Sequence, residues 1–138
     1  MVLLFDQFNL PDDVYEIVFA TEQQVDVAKQ LVKEFKRLNG VLDKTQMSEF
    51  ATALHDGKVQ MEKTIKIGPT TQTKKVAMSY NKRQFYDRIL TPMKSMGMID
   101  YDLYAKTYKL SENFSKSILR LAQLWNSETK KQASGTVQ

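Results

Sequence analysis

Apolar residues recur at helical spacing in four stretches of the chain, and each stretch begins near a side chain that can cap a helix. The first helix is predicted over about 22–39, because Thr21 and Gln24 fit a capping box and Gly40 follows as a stop. Its inward positions fall three and four residues apart: Val25, Ala28, Leu31, Val32, Phe35 and Leu38.

A shorter helix is predicted to begin at a second capping box, formed by Asp43 and Gln46, and to end at 55–57. Its apolar positions are Met47, Phe50, Ala51 and Leu54. Ahead of both helices, residues 1–20 are predicted to form an N-terminal extension in which 14–19 has the composition of a strand.

Between 58 and 78 the apolar residues alternate with polar ones, and this period of two predicts a β-hairpin with its turn at 68–72. The hairpin carries several lysines: Lys58, Lys63, Lys66, Lys74 and Lys75. Two roles remain open for them at this stage. They either contact phosphate groups or protect an edge strand against aggregation, which lysines commonly do.

Ser79 is the predicted cap of a third helix that ends at Gly97. Its inward residues are Phe85, Ile89, Met93 and Met96, with Tyr86 and Leu90 at the margin. Pro92 lies late in this helix, where it either kinks the helix or restarts a separate turn with Thr91 as its N-cap.

Two short strands, 98–102 and 106–110, and a last helix complete the predicted elements. Ser111 is the expected cap of this helix, and Phe114, Ile118, Leu121 and Trp125 follow at spacings of four, three and four. Residues 127–138 have the composition of a flexible tail.

This order of elements resembles the winged-helix superfamily of DNA-binding domains over about 22–125. The strongest local likeness is 85–99, where apolar helix positions lead into Gly97, an apolar pair and a hairpin. The expected fold is mainly α with small β: a winged helix-turn-helix over 21–126, with a β-hairpin insertion between the second and third helices and a C-terminal helix. The insertion, about twenty residues long, is a departure from the short turn usual in that family.

Charge is distributed unevenly over the 138 residues, although the net charge is only +4. Residues 1–57 hold five basic and ten acidic residues, whereas 58–138 hold fifteen basic and six acidic ones. The segment 58–94 alone has nine basic and two acidic residues. Such asymmetry indicates binding to nucleic acid or another polyanion.

The third helix offers the side chains that read base edges, since Arg suits guanine, Gln suits adenine and the Thr methyl suits thymine. At 100° per residue, one arc opposite the apolar side collects Tyr80, Arg83, Gln84, Asp87, Arg88, Thr91 and Lys94. Asn81 and Lys82 lie at the helix start, where backbone N–H groups favour phosphate. Further expected DNA contacts are Lys63, Lys66, Lys74, Lys75 and, in the wing, Lys106.

The resemblance also implies that the terminal helix serves dimerisation, because many winged-helix regulators dimerise in this way. The expected homodimer interface is Ile118, Leu121, Leu124 and Trp125. The alternative is that these residues complete the core of a single chain.

Other function classes find little support in the sequence. The chain has no Cys and one His, which removes thiolate and His-cluster metal sites, and no phosphate-cradling Gly loop is present. We therefore expect no cofactor, no metal and no enzymatic activity. Without a secretory signal or an apolar span, the expected location is the cytoplasm, at the nucleoid in a prokaryote.

The sequence thus predicts a protein that binds double-stranded DNA, most simply a transcriptional regulator. Two alternatives stay open: a winged-helix protein–protein interaction module in a larger assembly, and a replication or partition factor.

Overall fold

The computed structural model describes the backbone of residues 5–137 and the side chains of residues 5–131. The structure is 54% helix and 23% strand, a mixed α/β fold with more helix than strand. The first four positions of the predicted N-terminal extension, and Gln138 of the predicted tail, lie outside the described residues.

Three helices precede the long hairpin. They are α1 (Val14–Val18), α2 (Glu22–Arg37) and α3 (Lys44–His55). The side chain of Thr21 accepts a hydrogen bond from the N–H of Gln24, as predicted. The capping box of Asp43 and Gln46 is closed in both directions, so the predicted start of α3 is confirmed.

The prediction of a strand at 14–19 is wrong, because α1 occupies this stretch. Asp13 caps the helix by accepting a hydrogen bond from the N–H of Tyr15. The same carboxylate lies 2.6 Å from the Lys29 ammonium of α2. A local cap and a long-range ion pair thus outweigh the strand propensity of the β-branched residues.

The predicted hairpin is confirmed as β2 (Val59–Ile67) paired with β3 (Thr70–Met78). Its turn consists only of Gly68 and Pro69, so the predicted turn of 68–72 is too long. Gly68 has φ +59°, which a turn of type II′ requires at its first central position. The base of the hairpin is anchored in the core, where Met61 and Met78 are buried.

The third predicted helix is continuous over 82–95 but has three segments. They are α4 (Lys82–Phe85), a π-helical turn (Tyr86–Leu90) and α5 (Thr91–Ser95). The N–H of Thr91 donates to the carbonyl of Tyr86, five residues back. The wider turn directly precedes Pro92, whose ring would clash with the carbonyl of Arg88 in an uninterrupted α-helix. Thr91 is therefore not the N-cap of a separate helix.

Ser79 does not cap this helix, contrary to the prediction. Asn81 is the N-cap, since its side chain accepts a hydrogen bond from the N–H of Gln84. The Ser79 hydroxyl instead donates to the carbonyl of His55 at the end of α3. Ser and Asn both suit an N-cap position. The residue at which the hairpin ends determines which of the two caps the helix.

A three-stranded antiparallel sheet lies beyond the helix. Its strands are β1 (Val41–Asp43), β4 (Ile99–Asp102) and β5 (Thr107–Leu110), in the order β1–β5–β4. The pair β4–β5 was predicted, but β1 was not, because three residues are too few to show an alternating pattern. Below the sheet, α2, α3 and the helix 82–95 enclose the core, which includes Leu31, Phe35, Leu42, Met47, Phe85, Ile89 and Ile99.

The last helix, α6 (Asn113–Val137), extends further than predicted. Ser111 accepts a hydrogen bond from the N–H of Asn113 at its start, as expected of a cap. Residues 127–137, predicted as a tail, continue the helix. Glu128, Lys130, Lys131, Gln132 and Ala133 lie together in this stretch, and these residue types favour helix although most of them are polar.

A substitution at Gly97 tests how closely the start of α6 packs against the rest of the fold. It has φ +81°, and a Cβ there would meet the backbone carbonyl carbon of Asn113 and the backbone nitrogen of Phe114, each at 3.0 Å. For Gly97→Ala we expect a loss in the free energy of unfolding of about 2–4 kcal/mol, measured by urea denaturation, from left-handed strain plus overpacking.

The matched control is Gly40→Ala, because Gly40 has φ +86° with no atom within 4 Å of an added Cβ. Strain alone predicts a loss of about 1–2 kcal/mol there. Equal losses in the two variants would contradict the close approach of α6 to Gly97.

Candidate nucleic-acid interface

The inner face of the helix 82–95 is fully buried and fixes how the helix lies. Phe85, Ile89 and Met93 are each at most 1% exposed. The ring of Phe85 packs against Phe50 of α3 with centroids 5.6 Å apart. The π turn also places Leu90, predicted at the margin, in the core at 2% exposure. The helix therefore has one orientation relative to α2 and α3.

Its opposite side, which we call the outer face, is exposed to solvent. It consists of Arg83, Gln84, Asp87, Arg88, Thr91 and Lys94. Asp87, which would repel phosphate alone, lies near Arg83 with Oδ2 3.9 Å from Nε. Both side chains are exposed, so this pair contributes little to stability and leaves the guanidinium accessible. The structure brings these six predicted residues together on one surface.

Tyr80 does not belong to this surface, contrary to the prediction. It is only 6% exposed and joins the core, and its N–H donates to the carbonyl of Leu54. The prediction extended the helical period back to residue 80, but the helix starts two residues later, so the side chain points elsewhere.

Lys82 and Asn81 have structural contacts that the sequence pattern did not show. The Lys82 ammonium donates to the hydroxyls of Ser48 at 3.3 Å and Thr52 at 3.0 Å, both on α3. Asn81 is exposed, and its side-chain oxygen is engaged as the N-cap. These two residues hold the start of the helix in place.

His55, the last residue of α3, links α3 to the helix 82–95. Its Nδ1 accepts a hydrogen bond from the N–H of Lys82 at 3.1 Å. The backbone N–H at this helix start is thus already paired. Nothing in the sequence indicated this contact, because the two residues are separated by the whole hairpin.

The lysines of the β2–β3 hairpin fall into two groups. Lys63 lies 3.3 Å from Asp26 and 3.9 Å from Glu22, so its charge is used to hold the hairpin against α2. Lys66, Lys74 and Lys75 are exposed and form no salt bridge within the described residues. This second group is available to an external anion, as is Lys58 just before β2, which is also exposed and forms no salt bridge within the described residues.

Lys94 connects the outer face to the β4–β5 hairpin. Its ammonium lies 5.4 Å from the ring centre of Tyr101 and 5.9 Å from that of Tyr108. The two rings pack with centroids 4.6 Å apart across the strands. Burial of the Tyr108 phenol raises its pKa above the ordinary value. The cation–π contacts fix the position of a positive charge between helix and hairpin.

The turn between β4 and β5 is held by the side chain of one residue, Asp102. Asp102 accepts hydrogen bonds from the N–H groups of Tyr104 at 2.9 Å and Ala105 at 3.1 Å. Lys106, at φ +55°, is exposed next to them. The exposed turn therefore has a defined shape, with one lysine at its tip.

The helix α6 presents an apolar side to solvent. Among the residues predicted as a dimer interface, Ile118 is 37%, Leu121 54%, Leu124 49% and Trp125 66% exposed. The alternative that these residues complete the core of a single chain is wrong, since the side chains of 115–131 are all exposed. Phe114, half-buried at the start of α6, is the point where the helix leaves the fold.

Comparison of the chain with models of known families, with curated proteins and with solved structures found no match. Within the described residues, no group of three or more His, Cys, Asp or Glu side chains is placed to hold a metal ion. None of the described helices combines the length and the hydropathy that a membrane crossing requires.

The hydrogen bonds that Asp102 accepts in the β4–β5 turn can be removed either by acid or by mutation, and both changes test whether the carboxylate holds the turn. The N–H groups of Ala105 and Tyr104 lower the pKa of Asp102 below its ordinary 3.8. The Asp102 carboxylate therefore stabilises the folded turn fully above pH 3.8. This stabilisation is lost as the pH falls through the lower pKa that Asp102 has in the folded state. NMR titration of the Asp102 carboxyl should show this lowered pKa.

Asp102→Ala should also speed amide hydrogen exchange at Tyr104 and Ala105, because both N–H groups lose their acceptor. Asp100→Ala, an exposed neighbour on the same strand, is the control and should leave both rates unchanged. Equal exchange in the two variants would show that the carboxylate does not hold the turn.

Proposed function

We propose that this protein is a winged-helix protein that binds double-stranded DNA as a homodimer and acts as a transcriptional regulator. The order of elements supports the fold: α2, β1, α3, the helix 82–95, β4 and β5, with the sheet ordered β1–β5–β4. In this proposal the helix 82–95 enters the major groove, the β4–β5 hairpin is the wing, and the β2–β3 hairpin is an insertion.

The outer face is the observation on which the proposal depends most. Besides the Asp87 carboxylate, which pairs with Arg83, it combines two guanidinium groups, an amide, a hydroxyl and an ammonium on one exposed surface of a packed helix. These are the groups that form hydrogen bonds with base edges and phosphates. A helix with this polar face and a buried opposite face has the size and chemistry that the major groove accepts.

Positive charge beyond the outer face supplies affinity that does not depend on sequence. Lys106 at the wing tip and Lys66, Lys74 and Lys75 on the inserted hairpin are exposed to an external phosphate. The protein then acts by binding rather than by chemistry, and a replication or partition factor would use the same contacts.

The exposed apolar side of α6 supports the homodimer. A winged-helix dimer reads two half-sites, so a projecting helix that pairs two copies would set their spacing. The same apolar side favours the second candidate, a protein–protein interaction module, in which α6 would pack on a different protein.

Salt dependence of duplex binding tests the DNA proposal. Arg83→Ala with Arg88→Ala should lower the affinity for a random duplex about 10- to 100-fold in a gel-shift titration. It should also reduce the slope of log K against log salt by roughly 1.8, the value for two lost phosphate contacts.

Lys33→Ala with Lys36→Ala is the matched control, since it removes two exposed charges from α2, away from the outer face. Its slope should stay close to that of the natural protein. If the natural protein fails to bind duplex DNA at low salt, the regulator proposal is lost, and the interaction module remains.

Substitution on α6 tests the homodimer. Leu121→Ser with Trp125→Ser should raise the dimer dissociation constant at least about 100-fold, as expected when two central apolar contacts of an interface are removed. Sedimentation velocity measures it.

Leu119→Ser is the control for α6, because Leu119 is 64% exposed and lies on the other side of the helix. The natural protein and this control should sediment as dimers. A natural protein that sediments as a monomer at high concentration would contradict the homodimer.

A further inference from the structure

A row of lysine and hydroxyl side chains runs along α3, from the start of the helix 82–95 to the turn of the β4–β5 hairpin. The Lys82 ammonium lies 3.3 Å from the Ser48 hydroxyl, and Lys44 precedes Ser48 by four residues, on the same side of α3. The N–H of Lys44 donates to the carbonyl of Lys106 at 3.2 Å, which places the hairpin turn beside the start of α3. We call this row the α3 track, and it consists of Lys44, Ser48, Lys82 and Lys106.

The side chains of the α3 track carry positive charge or donate hydrogen bonds. Lys44 and Lys106 are exposed, and Lys82 is half-buried. None of these three lysines forms a salt bridge within the described residues. An ammonium has three donors and no acceptor, and Lys82 uses two of its donors on the hydroxyls of Ser48 and Thr52. The track therefore offers the groups that an anion needs.

The carboxylates near the α3 track are engaged elsewhere or lie on another side of α3. Asp43 closes the capping box of α3, and Asp102 accepts the N–H groups of its own turn. Glu49 and Asp56 border a depression on the adjoining side of α3, where Lys58 lies with them. These acidic residues therefore leave the lysines of the track unneutralised.

The α3 track lies at one flank of the helix 82–95. Lys82 directly precedes Arg83 of the outer face, but its hydrogen bonds to Ser48 and Thr52 turn its ammonium toward α3. An α-helix with its side chains is about 10–12 Å wide and the major groove about 12 Å, so phosphate groups border a helix in this groove on both sides. If the outer face enters the groove, the track faces the backbone of one strand.

We infer that the α3 track binds two neighbouring phosphate groups of one DNA strand, with Lys82 and Ser48 on the first and Lys44 and Lys106 on the second. The inference rests on the proposed DNA binding and names the residues that hold the backbone beside the major groove. Lys44 and Ser48 are one helical turn apart, about 5–6 Å between Cβ atoms, which is close to the separation of neighbouring phosphates in a strand.

Contacts within the fold hold one end of the α3 track in place before a phosphate binds. The N–H of Lys82 is paired with Nδ1 of His55, and its ammonium with hydroxyls of α3. The Ser48 hydroxyl also forms a hydrogen bond with Tyr86; burial raises the pKa of this phenol, and the bond to Ser48 acts against that rise. Because these side chains are already ordered, they lose little conformational entropy when they bind a phosphate.

Removal of two charges from the α3 track tests the inference. Lys44→Gln with Lys82→Gln should lower the affinity for a random duplex about 10- to 100-fold and reduce the slope of log K against log salt by roughly 1.8, the value for two lost phosphate contacts. Glutamine at 82 keeps a hydrogen-bond donor for α3, and urea denaturation should show a folded protein. Lys33→Gln with Lys36→Gln, the same charge change on α2, is the control and should keep the natural slope.

The Ser48 hydroxyl is tested separately, because its loss changes no charge. Ser48→Ala should lower the affinity for the duplex about 10-fold, as expected for one hydrogen bond to a charged group, and leave the salt slope unchanged. The loss should be equal for duplexes of different sequence, since phosphate groups carry no sequence information.

The outcomes separate this inference from the proposed function. An unchanged slope in the lysine variant, or unchanged affinity in Ser48→Ala, would overturn the inference, while DNA binding by the outer face would stand. Natural protein that does not bind duplex at low salt would overturn the proposed function itself.

A free anion is the other source of phosphate for the α3 track, and NMR distinguishes the two. Inorganic phosphate, added at the same concentration of phosphate groups as the duplex, should shift the backbone amide signals of Ser48 and Lys82 much less than the duplex does. Equal shifts from the two additions would overturn the inference in favour of a site for a small anion.

Discussion

Burial of Phe85, Ile89 and Met93 is the constraint on which the rest of the structure depends. These side chains hold the helix 82–95 against α3, α2 and β4. Because this side is buried, the polar side chains Arg83, Gln84 and Arg88 lie on the opposite, exposed side of the helix. The packing of these side chains thus determines which polar groups lie together on the exposed side of the helix, and the proposed DNA contact depends on that arrangement.

The irregular centre of the helix shows how the core and the outer face are adjusted to each other. The π turn brings both Ile89 and Leu90 into the core, whereas a regular helix would leave one of them at the edge. It also accommodates Pro92 without ending the helix. The last turn continues in helical conformation, so Lys94 reaches Tyr101 and Tyr108 of the sheet.

Much of the fold could be predicted from local signals. Caps at Thr21 and Asp43, and the change to a period of two after residue 58, each depend on a few neighbouring residues. The predictions were wrong or incomplete where contacts between residues far apart in sequence decide the local structure. The Asp13–Lys29 pair favours α1 over a strand, and β1 forms only because β5 pairs with it.

The candidate site was predictable to the same degree. The helical period alone identified the polar residues between Arg83 and Lys94 as one surface. It could not show that Tyr80 precedes the helix and is buried, or that Lys63 and Lys82 are engaged by α2 and α3. Such contacts join residues far apart in sequence, and no local pattern encodes them.

In the proposed mode of binding, the outer face of the helix 82–95 contacts duplex DNA. NMR mapping tests it most directly, by recording backbone amide shifts as a random duplex is added at low salt. We expect the largest shifts at residues 83–94, with further shifts in the β4–β5 turn and little change in α2. Shifts concentrated in α2 or α6, with residues 83–94 unchanged, would contradict it.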